Sequence, residues 1–186
     1  MLEHHLASRG WKWPLSSLAI TVLLALLGPI ILDLEDDLPL SLQSLLVCWL
    51  PLMLGWKAGV VGVLDYIILG AIGLPVFAGY RGGLDILSGP TGGYLLGMPV
   101  AALVLGAMTV DIPKDADDRT RLMRIAMGMA IGHMVILAFG IPWQQSFDPE
   151  LDIVALLRRL TGPALLKCAI GTLLSVAVMR AMRKQA

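Results

Sequence analysis

The chain has 186 residues, 57% of them hydrophobic and 15% charged, with a mean hydropathy of +0.79. That balance lies outside the range of a soluble domain; at roughly 20 apolar residues per crossing there is room for about five to seven membrane helices and no second domain. Fourteen basic and fourteen acidic residues cancel, which argues against nucleic acid or an anionic surface as the main partner.

Trp11, Lys12 and Trp13 form an interfacial anchor ahead of the first predicted helix, residues 15–33. That run is long and lacks a small-residue cleavage site, so it reads as a span rather than a signal peptide. Asp33, Glu35, Asp36 and Asp37 then require an aqueous loop. Residues 42–56 form a second helix with Pro51 inside it, and Trp56-Lys57 mark an interface. The third, 58–78, carries Gly59, Gly62 and Gly70 for close helix approach and Asp65 as its one charged side chain. Asp65 reads as a buried protonated acid or as a contact with another subunit.

From 73 to 94 the chain reads GLPVFAGYRGGLDILSGPTGGY, with seven glycines and two prolines in 22 residues. Such a segment is too broken for a continuous helix and too apolar for a solvated linker. Irregular backbone at membrane depth survives only when protein buries it or it lines a cavity, so a re-entrant or capping loop is expected. A fourth helix covers 93–112 and ends at Pro113 in a charged loop; a fifth covers 122–147, with Gly128 and Gly132 on one face. A short amphipathic stretch, 151–160, precedes a sixth helix over 163–183.

The expected fold is therefore an all-α integral membrane protein of six helices, with the glycine-rich loop between the third and fourth. Ten cations (Arg9, Lys12, Lys57, Lys114, Arg119, Arg121, Arg124, Arg180, Arg183 and Lys184) fall on one side, against four (Arg81, Arg158, Arg159 and Lys167) on the other. The bias puts both termini in the cytoplasm of a plasma or inner membrane, with the glycine-rich loop facing outward.

Arg81 and Lys167 lie beside glycine and proline on the outer side, where cations persist mainly by pairing or by lining a cavity, and together they suit a carboxylate. Arg81 can instead pair with Asp85, and Lys167 can snorkel. Gln43 and Tyr94 offer polar groups at similar depth and serve either a pocket or exposed backbone. Gly83, Asp85 and Thr91 belong to the loop that would shape such a pocket. Ser17, Thr21 and Ala25 repeat at four-residue spacing as a small ridge for a partner helix or for internal packing.

Cys48 and Cys168 read as small core residues, and no metal-ligand spacing includes His4, His5 or His133. No cofactor is expected. There is no GxxxxGK[ST] motif, so any ATP-driven work needs another subunit. Ser88-Gly89 lacks the preceding glycine of a GxSG nucleophile, with Ile86 in its place, and His133 has no supporting acid, so intramembrane hydrolysis is not expected.

PLSLQSL at 39–45, LGAIGLPVFAGYRGGLDILSGPTGGYLLG at 69–97 and PALLK at 163–167 resemble the biotin transporter BioY family. The resemblance implies a six-helix substrate-binding component of an energy-coupling factor (ECF) transporter, capturing biotin near the outer face. It also implies a membrane coupling subunit and two ATPases as partners, with the Ser17, Thr21 and Ala25 ridge standing where the family meets the coupling subunit. Arg81 and Lys167 would face the carboxylate or ureido end of biotin. The family pattern places an acid three residues before Lys167, where this sequence has Ala164. Asp85, Asp148, Glu150, Asp152 or a backbone carbonyl then remain as acceptors for the ureido group. Other readings are a binder of a related small carboxylate vitamin, or a solitary transporter working through Asp65.

Overall fold

The computed structural model describes residues 12–34, 38–110 and 117–183. Expectations placed on His4, His5, Arg9, Trp11, Glu35, Asp36, Asp37, Pro113, Lys114 and Lys184 fall outside them. The described elements are α1 (Lys12–Leu27), β1 (Ile31–Leu34), β2 (Leu38–Ser41), α2 (Leu42–Leu54), α3 (Trp56–Ala71), α4 (Leu84–Ser88), α5 (Gly92–Val110), α6 (Asp118–Phe147) and α7 (Ile153–Arg183). Helix dominates, and α6 and α7 are long and apolar enough to cross a membrane.

Three helix boundaries differ most from the sequence expectation. Helix α1 stops at Leu27 instead of running to Asp33, because Gly28-Pro29 breaks the ladder. The chain then pairs β1 with β2 in an antiparallel hairpin, Ile31 opposite Ser41 and Leu34 opposite Leu38. Helix α3 ends at Ala71, ahead of Gly73 with φ +103° and Pro75. The separate amphipathic stretch and sixth span merge into α7. Asp152 Oδ1 caps that helix by accepting from the Val154 and Ala155 N–H groups at 2.9 and 3.0 Å, and Pro163 inside it removes only one ladder bond. Asp117 caps α6, and hydrogen bonds from Thr120 hold its carboxyl below the usual range.

Helix α5 sits at the centre, packed on α2, α3 and α6. Leu105, Ala101 and Ala102 of α5, Val47 and Cys48 of α2, Val63 and Tyr66 of α3 and Met129 of α6 are fully buried. Between α1 and α3, Gly62 has no room for a side chain beside Ile20 and the Ser17 carbonyl. Ser17 and Thr21 are buried there, and Thr21 Oγ1 lies 3.1 Å from the Gly62 carbonyl oxygen; Ala25 packs on the same core. Of the two readings of the ridge, internal packing is the one seen for Ser17 and Thr21, which lie against Gly62 of α3. Asp65 is not buried in the chain but exposed on α3.

The segment after α3 turns sharply. Phe77 and Arg81 pair across Ala78, Gly79 and Tyr80, with Gly79 at φ +75° and Tyr80 at φ +57°. Its backbone groups are met by protein. Tyr66 Oη donates to Val76 O at 2.9 Å, Gly79 N–H to Pro29 O at 2.9 Å and Gly83 N–H to Gly70 O at 2.7 Å. The Phe77 ring covers Gly70 and meets Tyr66 edge-on, 5.7 Å between centroids. Tyr66→Phe leaves the buried Val76 carbonyl without its donor. Thermal unfolding in detergent is expected to show a loss of about 1 to 3 kcal/mol with the helical circular dichroism unchanged.

Candidate functional site

A cavity of about 220 Å³ lies among α2, α5, α6, α7 and the segment that follows α3. Its walls are mostly apolar, from Phe77, Ile86, Leu95, Met98, Ile136 and Leu160. The polar groups on it come from separate parts of the chain: Ser41 at the end of β2, Gln43 and Ser44 on α2, Arg81 and Thr91 on the turn segment, Tyr94 on α5, His133 on α6 and Lys167 on α7. An apolar cradle with a few placed polar groups is the usual form of a small-molecule site.

The two cations differ in depth. Lys167 is 8% exposed, and its Nζ donates to Ser44 Oγ at 2.9 Å. Among the described residues no carboxylate lies within 4.0 Å of it. An ammonium has three N–H donors, so Nζ keeps donors for a bound group. Arg81, which also lines the cavity, is exposed, with Nε donating to Ala78 O at 3.1 Å and its other guanidinium donors left over. It makes no ion pair with Asp85.

Two of the polar groups are partly committed to architecture. Gln43, 3% exposed, accepts from the Ala78 N–H at 3.2 Å through Oε1, and its Nε2 lies 3.3 Å from Met98 Sδ. Tyr94 donates to Gln144 Oε1 at 2.8 Å while its ring covers Gly140. Trp143 Nε1 donates to Gly89 O at 2.9 Å and ties the end of the irregular segment to α6.

Of the residues expected at the site, Arg81, Lys167, Gln43, Tyr94 and Thr91 border the cavity. Gly83 and Asp85 do not; Asp85 is exposed in the first turn of α4. Asp148, Glu150 and Asp152 are also exposed and away from it, with Asp148 and Asp152 bonded to nearby backbone N–H groups. Ala164 lines the cavity without offering a polar atom. Sequence reasoning missed Ser44 and His133 as lining residues. A lone histidine in an apolar helix was a visible signal for the second, whereas nothing local pairs Ser44 with Lys167.

The BioY family model matches residues 10–186. Among similar proteins, the probable biotin transporter BioY of Pyrococcus horikoshii is 36% identical over 132 residues, covering 71% of this chain and 74% of that one. The biotin transporter BioY of Rhizobium etli is 38% identical over 127 residues, 67% of each. The crystal structure of the S-component for biotin from an ECF-type ABC transporter shares the fold, with a TM-score of 0.67 and 24% identity over 88% of this chain and 90% of that one.

Gln43→Leu removes the acceptor that holds Ala78. Hydrogen exchange at residues 77–83 is expected to quicken by roughly tenfold, the equivalent of about 1.4 kcal/mol, while protection in α5 and α6 stays as it was.

Proposed function

The chain belongs to the BioY family, and from that premise we propose that it is the membrane subunit that binds biotin at the extracytoplasmic face for an ATP-driven ECF module. Biotin is the ligand in the names of both relatives. In this reading six helices cross the cell membrane, both termini are cytoplasmic, and the segment after α3 caps the cavity from outside. A coupling subunit and two ATPases supply the energy, since the chain has no phosphate-binding loop of its own.

One observation carries the reading: Lys167 is buried in the lining of an apolar cavity without an acid beside it, and the exposed Arg81 lines the same cavity. A group so placed is stable mainly when a ligand completes its hydrogen bonds. Biotin has a ureido group at one end, an apolar bicycle and chain, and a carboxylate at the other. Lys167 Nζ then donates to the ureido oxygen, the apolar walls hold the bicycle, and Arg81 meets the carboxylate at the mouth. The step is binding without chemistry. Asp65, exposed on α3 outside the cavity, takes no part in it.

Titrating biotin while following tryptophan fluorescence tests this, since Trp143 is bonded to the segment that carries Thr91. Lys167→Ala is expected to weaken binding by about 10- to 150-fold, matching a lost bond to a charged group of about 1.5 to 3 kcal/mol. Arg81→Ala, at an exposed site, should cost less than about fivefold, with the loss shrinking at high salt. Asp65→Asn should bind biotin like the wild type. A wild-type protein that does not saturate with biotin, yet does so with another small carboxylate vitamin, would move the assignment to that ligand.

A further inference from the structure

His133 lies on the cavity wall and is 6% exposed. Its Nδ1 is 2.8 Å from the Met129 carbonyl oxygen. A carbonyl can only accept, so Nδ1 carries the proton, and a neutral ring then presents a bare lone pair at Nε2. Cys168 Sγ, 3.8 Å from Nδ1, is a weak contact on the same side of the ring and leaves that assignment intact. Nε2 is at the far edge of the ring from the helix backbone. It is buried without a hydrogen-bond partner, and no other buried side-chain nitrogen or oxygen among the described residues is left so.

Buried polar atoms are normally paired, so an orphan on a ring that lines a cavity points to a ligand group as its partner. The neighbouring acceptors each serve one donor already: Gln43 Oε1 takes the Ala78 N–H, and Ser44 Oγ takes the Lys167 donor. Ala164 on the same cavity supplies none. Lining hydroxyls can turn to donate or accept, whereas His133 Nε2, with the ring proton held at Nδ1, only accepts.

We propose that His133 Nε2 accepts a hydrogen bond from a ureido N–H of the ligand and so selects for a donor at that position. The proposal rests on the biotin reading above. It divides the recognition of one polar ring between two helices: α7 supplies the donor for the oxygen through Lys167, and α6 the acceptor for the nitrogen. A ring of the same shape without that N–H leaves Nε2 unpaired and is rejected, which is how a buried polar group yields specificity.

The test is a binding cycle on the full chain in detergent, using biotin and its two cyclic carbamate analogues, in which oxygen replaces one or the other ureido nitrogen. Wild type should bind one carbamate at least about tenfold more weakly than the other. His133→Leu should weaken biotin by a similar factor and abolish the difference between the carbamates. His133→Gln, whose carbonyl oxygen reaches the place of Nε2, should keep biotin binding within a few fold. The proposal is overturned if His133→Leu binds biotin like the wild type, or if it weakens all three ligands equally, as a packing role would. Should that variant not fold, wild type binding both carbamates as well as biotin overturns it equally. Failure of wild type to bind biotin at all removes the functional reading and this inference with it; biotin binding indifferent to His133 removes this inference alone.

Discussion

Every peptide group in an apolar surrounding needs a hydrogen-bond partner, and the irregular segment from Gly73 to Thr91 is where that demand is hardest to meet. A helix satisfies itself; this segment borrows. Val76 takes its donor from Tyr66, Ala78 finds its acceptor in Gln43, Gly79 uses Pro29, and Gly89 takes its donor from Trp143. Those partners come from α2, α3, α6 and the turn after α1, so the segment is held by most of the fold at once.

The cavity is a consequence of that arrangement. By tying Ala78 to α2 and Gly89 to α6, the segment lays Phe77, Arg81, Ile86 and Thr91 over the space between the helices. The helices bring the remaining polar groups. Because Lys167 and His133 sit on different helices and each is more than nine-tenths buried, their relative positions are set by core packing, not by mobile surface. Arg81, on the turn, is exposed, with its Nε donating to the Ala78 carbonyl.

Small residues let the helices close to the distance this requires. Gly62 admits Ile20 and the Ser17 carbonyl, and the buried Thr21 hydroxyl reaches the Gly62 carbonyl oxygen across the contact. The same closeness consumes the face of α1 that, in the sequence, looks suited to a partner. A small-residue ridge records only that some backbone approaches; it carries no mark of whose backbone that is.

The sequence by itself determined the membrane class, the dominance of helix and the irregular nature of the segment after the third helix, and it singled out Arg81, Lys167, Gln43, Tyr94 and Thr91, which border one cavity. Each follows from local chemistry: apolar run length, glycine and proline density, and cations stranded among apolar residues. Only the tertiary structure decided that Asp85 and Gly83 stand outside the cavity, that Ser17 and Thr21 pack inward, that α1 yields to a hairpin, and that α7 runs through Pro163. It alone brought Ser44 to Lys167 and left His133 Nε2 without a partner. The reason is physical: helix periodicity says which residues share a face, but the neighbour on that face is chosen by contacts between segments far apart in the chain, and no local pattern encodes them.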